Sequence, residues 1–144
     1  MGKDLVIMVT GSRKHTNRPF IREVLNSFLP RVYRNEVSLI LGGASGADEI
    51  ARDWAQRLLV PYKIFEANWP RYGRPAGQIR NSVMLDQKPS IVLAFPLGES
   101  HENLSRGTYN AIEEAIRRGI PTCIFTGDPE THKITGYKSE FPDV

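Results

Sequence analysis

The sequence predicts an α/β fold: a single doubly wound, Rossmann-like domain with a mainly parallel five-stranded sheet and helices on both faces. Three observations carry this. Short apolar runs alternate with amphipathic stretches along most of the chain. The runs are nearly continuous rather than alternating, as strands buried on both faces require. The segments that follow the runs hold much of the Gly, Arg and Asn, whereas the opposite connections, such as Gly119-Ile120, are short and plain.

The elements follow in order. LVIMVT (5–10) reads as a buried strand. PFIREVLNSFLPRVYR (19–34) reads as a helix, because Phe20, Val24, Phe28 and Val32 recur every four residues; Pro19 suits its first turn and Pro30 should kink it or end it early. VSLILG (37–42) is the second strand, and ADEIARDWAQRLL (47–59), with Ile50, Trp54 and Leu58 on one face, the second helix. PYKIFEA (61–67) is a short third strand. AGQIRNSVMLDQ (76–87) is the third helix; Ile79 and Val83 are expected on its buried face, with Arg80, Asn81 and Met84 on another. SIVLAFP (90–96), GTYNAIEEAIRRG (107–119) and PTCIFT (121–126) complete the alternation. The polar, turn-rich GDPETHKITGYKSEFPDV (127–144) is expected to be a loosely attached tail, leaving 1–126 as the ligand-binding domain. Right-handed crossovers give the strand order 3-2-1-4-5, with its switch point between strands 1 and 4, and ligands bind outside the carboxyl ends of the strands there.

Composition narrows the function classes. A chain of 144 residues suits one domain, and a net charge of +3 suits an anionic small molecule as well as nucleic acid. The single cysteine, Cys123 in PTCIF, forms no intrachain disulfide or CxxC knuckle and reads as a small core hydrophobe. The N-terminal apolar run is too short for a signal peptide, and no run approaches the roughly 18 residues of a membrane helix. A cytoplasmic setting without membrane attachment is the expectation. His15, His101 and His132 lack metal spacing and no GxSxG is present, so neither a zinc site nor a serine hydrolase is supported, and nothing calls for a resident cofactor.

Four loops therefore carry the functional reading. In TGSRK (10–14), Gly11 permits a close turn, Ser12 can donate to a phosphate oxygen and Arg13 offers a bidentate fork; the alternative is an ordinary polar loop. In GGASGAD (42–48), Gly42, Gly43 and Gly46 let backbone approach a ligand, next to a helix N-terminus suited to an anion. Equally, Ser45 and Asp48 have the spacing of a capping box. NWPRYGRP (68–75) offers Trp69 as a platform for a base or as a loop anchor. Arg80 stands one turn into a helix, unfavourable unless an acid or anion is near, or else simply solvated. Gly107 and Thr108 offer donors to a second phosphate or a ribose, unless Thr108 is only an N-cap.

TGSR, LGGASGADEIARDWA, NWPRYGRPAGQIRN and the later GT resemble the YspA/YpsA-related branch of the SLOG superfamily over about residues 4–126. That superfamily includes the LOG (Lonely Guy) phosphoribohydrolases and the Rossmann core of the DNA-processing protein family. The resemblance implies a pocket for a nucleotide or nucleotide-derived sugar, a nucleoside monophosphate or an ADP-ribose-like ligand, and helix-mediated homodimers. LOG enzymes cleave an N-glycosidic bond with an arginine on the third helix and a PGGxGTxxE segment. Arg80 matches the arginine, and Gly107 and Thr108 match GT, but PLGESHENLSRGTYNA lacks the paired glycines and places Ala111 at the glutamate position. Glu114 lies one turn beyond; Arg80, Asp48, Glu99 and Glu102 are the other candidates for such chemistry.

The leading expectation is thus a nucleotide-ligand-binding protein, a sensor or ligand-processing protein. Its site would comprise Gly11, Ser12, Arg13, Gly42, Gly43, Ser45, Gly46, Asp48, Trp69, Arg80, Asn81, Gly107 and Thr108. The alternatives are a LOG-like phosphoribohydrolase and a single-stranded nucleic-acid module using Arg13, Arg71 and Arg74 with the aromatics.

Overall fold

A computed structural model describes residues 4–29, 36–99 and 105–142. Its strands are β1 (Leu5–Gly11), β2 (Val37–Gly42), β3 (Tyr62–Phe65), β4 (Ile91–Phe95), β5 (Thr122–Gly127) and β6 (Ile134–Glu140). The helices are α1 (Arg18–Asn26), α2 (Ala47–Leu58), α3 (Trp69–Tyr72), α4 (Ala76–Asp86) and α5 (Arg106–Arg117). The strands form one sheet in the order β3-β2-β1-β4-β5-β6. The first five pair in parallel, and β6 lies antiparallel on β5.

Successive residues of β1 face opposite ways and separate the two cores. Ile7 and Val9 join Leu39, Leu41, Leu93 and Phe95 beneath Ile21 and Leu25 of α1 and Ile50 and Trp54 of α2. Met8 joins Ile40 and Val92 beneath Met84 and Leu85 of α4 and Ala111 and Ala115 of α5. Both faces are covered, which is why the strand sequences carry so few polar residues. The buried Trp54 indole donates from Nε1 to Asn26 Oδ1 at 2.7 Å, so its burial strands no donor.

Three sequence expectations need correction. The five-strand order is extended by β6, drawn from the segment expected to be a loose tail. Asp128 Oδ1 accepts from the amides of Glu130 (2.8 Å) and Thr131 (2.9 Å) and so sets the turn into β6. The Tyr137 ring packs 4.9 Å from Phe125, and its hydroxyl meets Cys123 Sγ at 3.5 Å. As an edge strand with much of its surface exposed, ITGYKSE needs no apolar run. The first helix ends at Asn26, well before Pro30, where the Ser27 hydroxyl bonds back to the Val24 carbonyl. Residues 30–35 lie outside the described residues. On α4 the buried face carries Ala76, Asn81, Met84 and Leu85, whereas Val83 is 40% exposed.

The β5–β6 turn is bonded to the β1–α1 loop. The buried His15 accepts the Asn17 amide at Nδ1 (3.2 Å), which puts its proton on Nε2, buried and without a hydrogen-bond partner among the described residues. His132, at φ 62°, accepts the Thr16 amide at Nδ1 (3.2 Å), and its carbonyl accepts from Asn17 Nδ2 (3.0 Å). Asn17 also caps α1 through Oδ1 to the Phe20 amide.

Burial, with the neighbouring His132 adding to it, lowers the His15 pKa from 6.5 to about 4. Protons therefore bind the unfolded chain first as pH falls, and the contribution present above pH 6.5 is lost toward pH 4. His15→Asn keeps an acceptor near the Nδ1 position and removes the titration. Urea melts at pH 7 and pH 5 are expected to show that the variant loses on the order of 1–2 kcal/mol less on acidification than the parent chain.

Candidate functional site

The site is assembled at the carboxyl edge of the sheet, around the switch between β1 and β4. The Ser12 amide donates to the Phe95 carbonyl (3.1 Å) across that switch, and the Ser12 carbonyl accepts from the Ala47 amide (3.2 Å), the first residue of α2. This close approach requires Gly46. It sits at φ 76°, and a Cβ there would overlap the Ser12 carbonyl oxygen and the Arg13 backbone. The neighbouring Ser45 hydroxyl donates to the Arg13 carbonyl (3.0 Å), so the loops after β1 and β2 are tied together.

The capping box open to Ser45 and Asp48 does not form. Gly46 occupies the N-cap, which leaves Ser45 outside the helix and Asp48 one position short of the reciprocal spacing. Asp48 Oδ2 instead accepts from the Ala44 amide at 3.4 Å. Its other oxygen, Oδ1, is buried with no hydrogen-bond partner among the described residues. Arg80 lies close by. A Cβ on Gly42 would come within 2.5 Å of Arg80 Nη1 and 2.9 Å of Asp48 Oδ2. Burial raises the Asp48 pKa from 3.8 to about 7, opposed by the Arg80 charge, the Ala44 amide and Arg13. The Arg80 pKa is lowered by burial, against the pull of Asp48.

Arg80 and Asn81 connect this pair to the fourth loop. Arg80 Nε donates to Asn81 Oδ1 (3.0 Å), and Asn81 Nδ2 donates to the Gly107 carbonyl and to Asn110 Oδ1, both at 3.2 Å. Thr108 is not the N-cap of α5. That position belongs to Ser105, whose hydroxyl bonds the Leu97 amide (2.7 Å) and carbonyl (3.0 Å), leaving Thr108 buried inside the first turn.

These groups bound a cleft of about 520 Å³, lined by residues 10–14, 44, 48, 69, 74, 77, 78, 80, 81, 105–108 and 110. A recess of about 310 Å³ shares Arg13, Ala44, Trp69 and Arg80 with it and adds Gly43, Ser45, Glu66 and Ala67. The sequence-predicted ligand residues all line one or the other except Gly42 and Gly46, which lie behind the walls. Trp69 begins the short α3, is 45% exposed, and carries the Arg13 guanidinium 5.8 Å over its ring. Ser12 is buried and its hydroxyl accepts the Lys14 amide (3.2 Å).

Other candidates lie elsewhere. Glu114 accepts from the Ser82 hydroxyl (2.8 Å) and from Arg118 (2.9 Å), on the α4–α5 side of the molecule and outside both recesses. Glu99 lines neither recess, and His101 and Glu102 lie outside the described residues. Arg74 reaches the cleft, whereas Arg71 stacks on Tyr72 at 5.2 Å without lining it. Sequence reasoning missed Asn110 and Glu66. Asn110 is one turn from Gly107 on the same helix, and Glu66 directly follows β3 on the functional edge; both places were open to the rules of helical spacing and topology.

Residues 5–72 match the sequence model of the YspA, cpYpsA-related SLOG family (YAcAr). Over 130 residues, 85% of this chain and 98% of the relative, the sequence is 34% identical to the Gene 61 protein of Mycobacterium phage D29. The chain belongs to the YspA, cpYpsA-related SLOG family. Its fold is similar to the X-ray structure of DNA processing protein A (DprA) from Streptococcus pneumoniae, with a TM-score of 0.50 and 14% identity over 77% of this chain. The chain spans 56% of that protein's length. The comparisons thus give the family and a Rossmann-like fold. No helix among the described residues is long and apolar enough to cross a membrane.

Two expected outcomes follow from the geometry. Gly46→Ala should lower unfolding free energy by on the order of 2 kcal/mol or more in urea melts. Gly107→Ala, where an added methyl meets nothing within 4 Å, should leave it unchanged or slightly raised. For Asp48 the raised pKa means the folded state takes up a proton before the unfolded chain does. The stability this supplies is complete below about pH 4 and lost by about pH 7. Asp48→Asn should therefore gain on the order of 4 kcal/mol over the parent chain as pH rises from 4 to 8, read from melts at each pH.

Proposed function

We propose that this SLOG-family chain binds a nucleotide or nucleotide-derived sugar, a nucleoside monophosphate or ADP-ribose-like ligand, in the larger cleft, as a sensor or ligand-processing protein. The observation that carries the reading is the convergence of Arg13 and Arg80 with the unpartnered Asp48 oxygen beside an exposed indole. Two guanidinium groups suit a phosphate, a lone carboxyl oxygen suits a ligand hydroxyl or amine, and a tryptophan face suits a base. The N-terminus of α5, with Gly107 and Thr108, adds a further anion-favouring end to the cleft. A volume of about 520 Å³ is in the range of small-molecule sites.

Binding is favoured over LOG-type hydrolysis by the position of the relevant side chains. Ala111 is fully buried in the core under α5, and Glu114 is held by Ser82 and Arg118. Asp48 is the one carboxylate lining the larger cleft among the described residues.

A thermal-shift panel of nucleoside monophosphates, ADP-ribose, NAD and cyclic nucleotides tests the reading. At least one is expected to raise the melting temperature at millimolar concentration, and Arg80→Ala should abolish the shift in a protein that still melts cooperatively. A panel without any shift, together with steeply salt-dependent binding to single strands, would replace this reading with the nucleic-acid one.

A further inference from the structure

We infer that Glu66 reads the 2′,3′-cis-diol of the ligand's ribose, so that the cleft selects a ribonucleoside phosphate over its 2′-deoxy counterpart. This rests on the nucleotide reading above and assigns the smaller recess a part in it.

The β2–α2–β3 unit supplies the geometry. A glycine-containing loop leaves β2, α2 begins beside it, and the chain returns along β3, which ends next to where the loop began. In parallel βαβ units that hold nucleotides, an acidic residue about 20 positions beyond the glycine loop stands at the end of the returning strand and accepts from a ribose hydroxyl. Glu66 follows the last loop glycine, Gly46, at that separation. The loop itself is not a GxGxxG sequence, so the arrangement is visible in the topology and not in a motif.

Register brings the two ends together. Gly42 pairs with Phe65, so Gly43 and Glu66 leave their strands side by side. A Cβ on Gly43 would lie 3.0 Å from Glu66 Cγ and 3.1 Å from Oε1. The Glu66 side chain therefore lies over the bare backbone of Gly43, and a larger residue there would have to push it away. Although Arg13 and Arg80 line the same recess, Glu66 forms no ion pair or hydrogen bond with a described residue. Its acceptors remain open to a ligand. A carboxylate has two acceptor oxygens and no donor, which matches two adjacent hydroxyls. The shared wall of Arg13, Arg80 and Trp69 places phosphate and base recognition next to it.

Isothermal titration of AMP and 2′-deoxy-AMP tests this with the full chain, Glu66→Gln and Gly43→Ala. The parent chain should prefer AMP by about tenfold, the effect of a hydrogen bond to a charged acceptor. Glu66→Gln should lose most of its affinity for AMP and much less for 2′-deoxy-AMP, shrinking the preference toward one. Gly43→Ala should shrink it likewise while Glu66 is still present. No preference in the parent chain, or an equal loss on both nucleotides in Glu66→Gln, overturns the assignment even where AMP binds in an Arg80-dependent way. A parent chain that binds neither nucleotide, nor any other in the thermal-shift panel, overturns the nucleotide reading itself and this inference with it.

Discussion

Gly42 has no side chain, and the charged centre of the site occupies the space a Cβ would need. Arg80 approaches from α4 and Asp48 from α2, and both come into contact with the end of β2. The consequences spread outward from there. Arg80 orients Asn81, Asn81 bonds the start of α5, and Asp48 holds the loop after β2 through the Ala44 amide. One small residue thus joins both faces of the sheet at its functional edge. A methyl at this point would displace a guanidinium and a buried carboxyl together.

This arrangement carries an energetic penalty in the folded protein. A buried carboxyl oxygen without a donor destabilises the folded state, and a nearby arginine only partly offsets the loss of hydration. The surrounding fold provides the compensation: two apolar layers, a bonded switch point, and helices that begin where the strands end. The ligand hydroxyl or amine proposed above would supply the partner this oxygen lacks.

Much of this was legible in the sequence, for identifiable reasons. Buried parallel strands must be apolar throughout, so LVIMV, LILG and IVLAF declared themselves, and their order followed from alternation with helices. The topology rule then placed Gly11, Gly43, Arg80 and Gly107 on one edge. What escaped depended on distances that spacing does not encode. Ser45 and Asp48 fit a capping pattern, but the helix started one residue later, at Gly46. Strand β6 is held by a turn and by Tyr137, not by an apolar run, so a polar sequence concealed a strand. Val83 has a core residue's character but faces outward, because Asn81 takes the inner position for the sake of its hydrogen bonds.

The chain's two tryptophans occupy opposite environments. Trp54 is 3% exposed and locked to Asn26, while Trp69 stands between the two recesses with a cation on its face. An occupant that stacks on that face must displace the Arg13 guanidinium, exchanging a positive charge for an aromatic surface against one indole only. The buried indole keeps its surroundings meanwhile. Under the binding proposed above, Trp69 would report on the cleft optically and Trp54 would serve as an internal standard, without any label being added.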